Sequence, residues 1–211
     1  CHVTIVHGLK GPSNTITCAD ASSHLAIGEA FRTIQRGAAD AAICGGAESK
    51  LVPMGMVRQG LLKRLTETGN ASPGQAVKPF DTQACGSVIG EGGGLLILEE
   101  YDKARARGAR IYAEVVGFGA SQDSYSVTEP DPSGHSYSKA ITKALADAKL
   151  TPGDVDLLVP HGLGIPAFDR AELAGLKAAL GTALPKTALA PIKGQTGNLA
   201  AGSGADAAAA V

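Results

Sequence analysis

At 211 residues the chain is long enough to bury one sizeable hydrophobic core. Nineteen basic against 20 acidic residues leave a net charge of −1, which excludes the basic excess of a nucleic-acid binder. No apolar run approaches the roughly 20 residues of a membrane span, and Cys1, Cys18, Cys44 and Cys85 show neither paired metal spacing nor the density of a secreted disulfide scaffold.

Strand and helix signals alternate along the chain. A first strand is expected over 14–18, running into a tight turn around Asp20 and then a helix over 22–36, where Leu25, Ile27, Ala30, Phe31 and Ile34 form a helical stripe. A strand over 41–45 precedes a span, 61–85, rich in Thr, Gly and Pro that reads as a long surface loop. Next come a strand over 94–99, a helix over 101–107, a strand over 112–118 and a helix over 134–148. Asp154-Val155-Asp156-Leu157-Leu158-Val159-Pro160 reads as a buried strand, 155–160, delivering His161 at its end. A helix over 167–180, a strand over 187–191 and a helix over 199–211 complete the pattern. Such alternation indicates α/β layering. The strand 14–18 with its helix is echoed weakly by strand 187–191 with the small-residue helix after Gly197.

Several segments share one likeness. Gly8-Leu9-Lys10-Gly11-Pro12-Ser13, Ile27-Gly28 and Gly45-Gly46-Ala47-Glu48 bracket the turn, and ungapped counting from either side puts Asp20 at its tip. Gly90-Glu91-Gly92-Gly93-Gly94 precedes a strand ending in Glu99-Glu100; its Leu95 breaks a dinucleotide pattern, so it reads as a structural turn. His161-Gly162 is followed by Asp169 and Glu172, and Lys193 by Thr196-Gly197. In this order and spacing the chain resembles the β-ketoacyl-[acyl-carrier-protein] synthases, the type II condensing enzymes of fatty-acid and polyketide synthesis. The resemblance implies a thiolase-like layered αβαβα fold, here an internal fragment incomplete at both ends. It makes about 1–106 the end of an N-terminal half and about 107–211 the start of a C-terminal half of a single partial domain.

Decarboxylative condensation needs a thiolate to carry the acyl group and donors to neutralise the enolate left by carbon dioxide loss. The resemblance assigns the nucleophile position to Asp20, the first histidine to His161, the supporting lysine to Lys193 and the second histidine to Asn198. Asp169 and Glu172 fall in a structural network behind the site, and Leu163 and Ile165 replace threonines that would hold the pantetheine arm. Cys85-Gly86-Ser87 stands where Asp-Gly-Phe is usual. A carboxylate is a poor nucleophile toward a thioester, and the losses together point to one decayed activity. The first reading is a non-condensing subunit like the chain-length factors, although those typically carry glutamine at the nucleophile position. Its implied partners are an acyl carrier protein and a second ketosynthase-fold subunit, as homodimer or as heterodimer with an intact ketosynthase, the helix after Asp20 and strand 41–45 lying near the interface. No cofactor, metal, nucleic acid or membrane is implied, and the cytoplasm is the expected compartment.

Two readings stay open beside it. The chain is an enzyme that uses Cys18 in a shifted turn, or Asp20 as a general base with His161; or it is a module that only binds acyl carrier protein. His161 also has a plain reading as a buried histidine kept for packing, and Lys193 is a candidate to pair with Asp20 as a buried ion pair.

Overall fold

The computed structural model describes residues 2–204 and 208. They belong to two compact units whose segments interleave along the chain. The first gathers the residues up to Glu48, Gly93–Val115 and those from Ala200 on; the second gathers Ser49–Gly92 and Val116–Leu199.

In the first unit, α1 (His2–His7) is followed, after a stretch without regular structure, by a 3-10 turn at Ala19–Ala21 that leads directly into α2 (Ser22–Gln35). The buried face of α2 carries Ser22, Ser23, Gly28, Ala30 and Thr33, small residues that let the helix pack closely on β1 (Ala41–Glu48). β1 pairs with β2 (Gly92–Glu99) in a two-stranded sheet. Their approach depends on glycine: a Cβ on Gly93 would lie 2.2 Å from the Gly46 carbonyl oxygen, and one on Gly45, whose φ is +141°, would lie 2.2 Å from that of Gly94. Glu100 caps α4 (Tyr101–Ala106), its carboxylate accepting the Lys103 N–H at 2.9 Å. Burial pushes the Cys44 thiol on β1 up to about 11, so it stays protonated at neutral pH.

In the second unit, α3 (Pro53–Leu61) opens with proline at its first turn, where a missing N–H costs nothing. The core of the unit is α5 (His135–Ala148) crossing α6 (Pro166–Leu180). β3 (Leu157–Leu158) and β4 (Ala188–Leu189) form a short parallel pair, Leu157 opposite Ala188 and Leu158 opposite Leu189. α7 (Lys193–Thr196) is a single turn after β4.

The helices expected over 22–36, 101–107, 134–148 and 167–180 are present to within a residue or two. Four strand expectations need correction or trimming. Residues 14–18 and 112–118 form no strand, because among the described residues no strand pairs with either, and a strand-like sequence without a ladder makes no sheet. The strands expected over 155–160 and 187–191 shorten to two residues each. The helix α3 was not expected, and the span 61–85 contains a 3-10 turn at Pro73–Gln75 and a bridge of Leu65 to Ser87. Of the helix expected over 199–211, Ala200–Gly202 forms a 3-10 turn, while 205–207 and 209–211 lie outside the described residues.

Candidate active site

β3 ends two residues before Pro160, and the chain then turns through His161-Gly162-Leu163-Gly164 into α6. Gly162 (φ +45°) and Gly164 (φ +73°) supply the left-handed backbone that this turn needs. Asp169 and Glu172 lie three residues apart on α6, on one face of the helix, and both are almost fully buried (4% and 5% exposed). Their oxygens collect the backbone N–H groups of the turn. Glu172 Oε1 accepts from His161 at 2.6 Å and Oε2 from Gly162 at 2.8 Å. Asp169 Oδ1 accepts from Leu163 at 2.9 Å, while Gly164 lies 3.2 and 3.1 Å from its two oxygens. Asp169 Oδ2 also accepts the backbone N–H of Phe80 at 2.8 Å, which ties a distant segment to the same carboxylate.

Both carboxyls titrate above their ordinary range, chiefly because burial penalises the charge; the backbone donors, and for Glu172 the nearby Lys193, pull partly the other way. The turn that presents His161 is thus held by two acids rather than by a ladder. Leu163 (3% exposed) and Ile165 (9%) point apolar bulk into the interior at the positions where the resemblance implies threonines.

Lys193, at the start of α7, is 5% exposed, and its Nζ lies 3.1 Å from His161 Nδ1. With Lys193 as an ammonium, which can only donate, Nδ1 is the acceptor and the imidazole proton lies on Nε2. In that state the pair presents an Nε2–H, a donor suited to an oxygen that gains negative charge. Asn198 follows Gly197 (φ +73°) and bridges to Ile89 in parallel, its N–H donating to Val88 at 2.8 Å and its carbonyl accepting from Gly90 at 3.0 Å. The glycine run beside it serves close packing: a Cβ on Gly90 would lie 2.7 Å from the Thr196 carbonyl oxygen. The Glu91 carboxylate accepts from the Ser49 hydroxyl and the Leu51 N–H.

Asp20 belongs to the first unit, half-buried in the 3-10 turn that starts α2. Ala19 adopts φ +46°, a left-handed conformation that costs an L-residue on the order of 1–2 kcal/mol. Ser22 bridges the turn, its Oγ accepting from Cys18 N–H at 2.8 Å and donating to the Ala19 carbonyl at 2.7 Å. Cys18, two residues ahead of Asp20, is exposed.

Of the site residues named from sequence, the structure brings His161, Lys193, Asp169 and Glu172 into one hydrogen-bonded group in the second unit. Sequence reasoning missed Phe80, which lies within the span read as plain loop; the apolar pair Pro79-Phe80 inside that polar stretch is the signal that was there to find.

Residues 1–104 match the family described as Beta-ketoacyl synthase, N-terminal domain, and residues 112–211 match Beta-ketoacyl synthase, C-terminal domain. The chain belongs to the β-ketoacyl synthase family. It is 42% identical over 204 residues to 3-oxoacyl-[acyl-carrier-protein] synthase 2 of Vibrio cholerae, covering 96% of this chain and 49% of the relative. It is 38% identical over 202 residues to the enzyme of the same name from Staphylococcus aureus, covering 96% of this chain and 50% of the relative. The chain therefore spans about half the length of these curated relatives. Among solved structures, it superposes with a TM-score of 0.96 at 30% identity on a type II polyketide ketosynthase in complex with its acyl-carrier protein and bound to the hexaketide, over 99% of this chain and 51% of that one. A ketosynthase/chain length factor for ishigamide superposes at a TM-score of 0.85 and 32% identity, over 94% and 46% of the two chains. The fold is the thiolase-like fold of the ketosynthases. No described helix is long and apolar enough to cross a membrane.

Proposed function

We propose that this protein is a ketosynthase-fold subunit of fatty-acid or polyketide synthesis that does not condense, and that it works beside an intact ketosynthase and an acyl carrier protein. One observation carries the reading: the turn at the start of α2 keeps a bent backbone, with Ala19 left-handed and Ser22 bridging it, yet the residue it holds is Asp20 and not a thiol. The mixed anhydride formed on a carboxylate hydrolyses readily, so acyl transfer to Asp20 leads to loss of the chain instead of carbon–carbon bond formation. The buried apolar side chains of Leu163 and Ile165 remove hydroxyls that would hold a pantetheine arm, and Asn198 offers an amide in place of an imidazole. The His161–Lys193 pair keeps the imidazole and its lysine, so the second unit retains part of the family's apparatus while the thiol is absent from position 20. The likeness to a ketosynthase/chain length factor supports a paired arrangement, and the likeness to a ketosynthase complexed with its acyl-carrier protein supports carrier docking.

The test is a condensation assay on the purified full-length protein, without partner, with acyl- and malonyl-carrier substrates. No β-ketoacyl product is expected. Turnover on the order of 1 per second, ordinary for an enzyme, overturns the reading. Mass spectrometry after treatment with a thiol-directed epoxide inhibitor completes it: position 20 gains an adduct only in Asp20→Cys, whereas stoichiometric alkylation of Cys18 in the unmodified protein supports the enzyme reading.

A further inference from the structure

One segment of the second unit touches the neighbours of both members of the His161–Lys193 pair. Residues 77–80 are half-buried, although they lie inside the stretch whose composition reads as surface loop. On one side they close over the His161 turn: a Cβ on Gly162 would lie 3.1 Å from Phe80 Cε2 and 3.1 Å from Pro79 Cβ. A Cβ on Gly164 would lie 3.2 Å from Val77 Cγ1. On the other side the same segment meets the turn that carries the lysine, with Pro79 Cδ 3.5 Å and the Val77 carbonyl oxygen 3.7 Å from a Cβ position on Gly194. The strap thus lies against the residue after His161 and the residue after Lys193 at once.

It is also anchored at a cost. Phe80 has φ +60°, a left-handed backbone that a bulky residue rarely adopts. Its N–H donates to Asp169 Oδ2 at 2.8 Å, and Asp169 is the acid that also holds Leu163 and Gly164. Persistent strain of this kind requires surroundings that over-determine it. Phe80 therefore has a ring placed on Gly162 and an amide locked to the carboxylate that positions the same turn.

We propose that Phe80 is a positioning residue: the strap 77–80 sets the His161 turn against Lys193 and so fixes the imidazole with its proton on Nε2. The argument rests on the His161–Lys193 pairing used in the proposed function, but it concerns the ring itself and not any turnover. A hydrogen bond of 3.1 Å weakens steeply with small displacements and misalignment. Once the turn is free to drift, Lys193 no longer selects one tautomer.

The experiment is imidazole nitrogen–proton correlation spectroscopy on the full-length protein labelled with 15N-histidine at neutral pH. In the unmodified protein His161 should appear as a single Nε2–H tautomer. Phe80→Ala should move the proton to Nδ1 in at least a tenth of the molecules, and Phe80→Tyr should restore the parent pattern. Phe80→Leu keeps apolar volume if the alanine variant does not fold, and it should show the same mixture to a smaller degree. A folded Phe80→Ala or Phe80→Leu with the parent's single tautomer overturns the strap's role alone. A parent spectrum without the Nε2–H form overturns the pairing and the strap together.

Discussion

Glu172 carries its carboxyl where water scarcely reaches, and burial is the largest reason that it titrates above the ordinary carboxyl range. An acid whose folded value lies above its unfolded one, about 4.3 for glutamate, contributes stability that is complete below the unfolded value. That contribution is lost as pH rises through the raised folded value. Asp169 is shifted the same way, so the two acids act in one direction. Glu172→Gln should therefore lower the pH-dependent loss of stability as pH rises above about 4, read as a shallower change of the urea midpoint with pH. The level is a separate matter. A glutamine offers one carbonyl oxygen to two backbone donors now accepted at 2.6 and 2.8 Å, and an unpaired buried donor costs about 1–3 kcal/mol. The slope is the diagnostic, and an unchanged slope would show that Glu172 is ionised equally in both states. His161, Asp169, Glu172 and Lys193 were legible in the sequence because each sits in a short motif at fixed spacing. Phe80 was not, since its role depends on a hydrogen bond to a residue 89 positions away.

Among elements, the crossing of α5 over α6 rests on two glycines. A Cβ on Gly175 would lie 2.5 Å from Tyr137 Cβ and 2.6 Å from the Gly134 carbonyl oxygen, and one on Gly134 would lie 2.3 Å from Gly175 N. Local and tertiary preferences conflict here. Helix propensity alone favours Gly175→Ala by about 1 kcal/mol, whereas forcing a methyl into backbone contact costs about 1–3 kcal/mol and more where backbone must move. Because the blocking atoms include a backbone oxygen, the tertiary cost should win, and Gly175→Ala should lower the thermal midpoint; a rise would show that the helices separate freely. The same contrast explains what was readable at this scale. Helices 22–35, 135–148 and 166–180 follow from local periodicity. The strand-like residues at 14–18 and 112–118 look the same whether or not a partner strand exists, and only pairing decides. α3 escaped because it carries two glycines, Gly55 and Gly60, and follows Val52, with no polar capping residue to mark its start.

For the whole molecule, the resemblance carried by separated motifs was sufficient to read the family and the thiolase-like fold. The division into two interleaved units was not legible. The chain leaves the first unit after Glu48 and re-enters it at Gly93, inside a glycine run that reads only as a turn. If the protein is a partner subunit, its assembly should show it. Full-length protein co-expressed with the intact ketosynthase of its pathway should elute as a heterodimer with one copy of each, measured by light scattering. A monomer in the presence of that ketosynthase would contradict the proposed pairing.

The two carboxylates under the His161 turn also set an order of assembly. Glu172 binds the His161 amide across 11 residues, whereas Asp169 binds the Phe80 amide across 89. Closing a short loop forfeits less chain entropy than closing a long one, and local contacts form before distant ones reward their cost. The turn and α6 can thus nucleate as one local piece, with Glu172 and Asp169 already accepting the amides of the turn. Docking of Phe80 then comes late, and it is the step at which the left-handed residue must be accepted. On this order the histidine's platform forms first, and its strap is the clasp that closes after it.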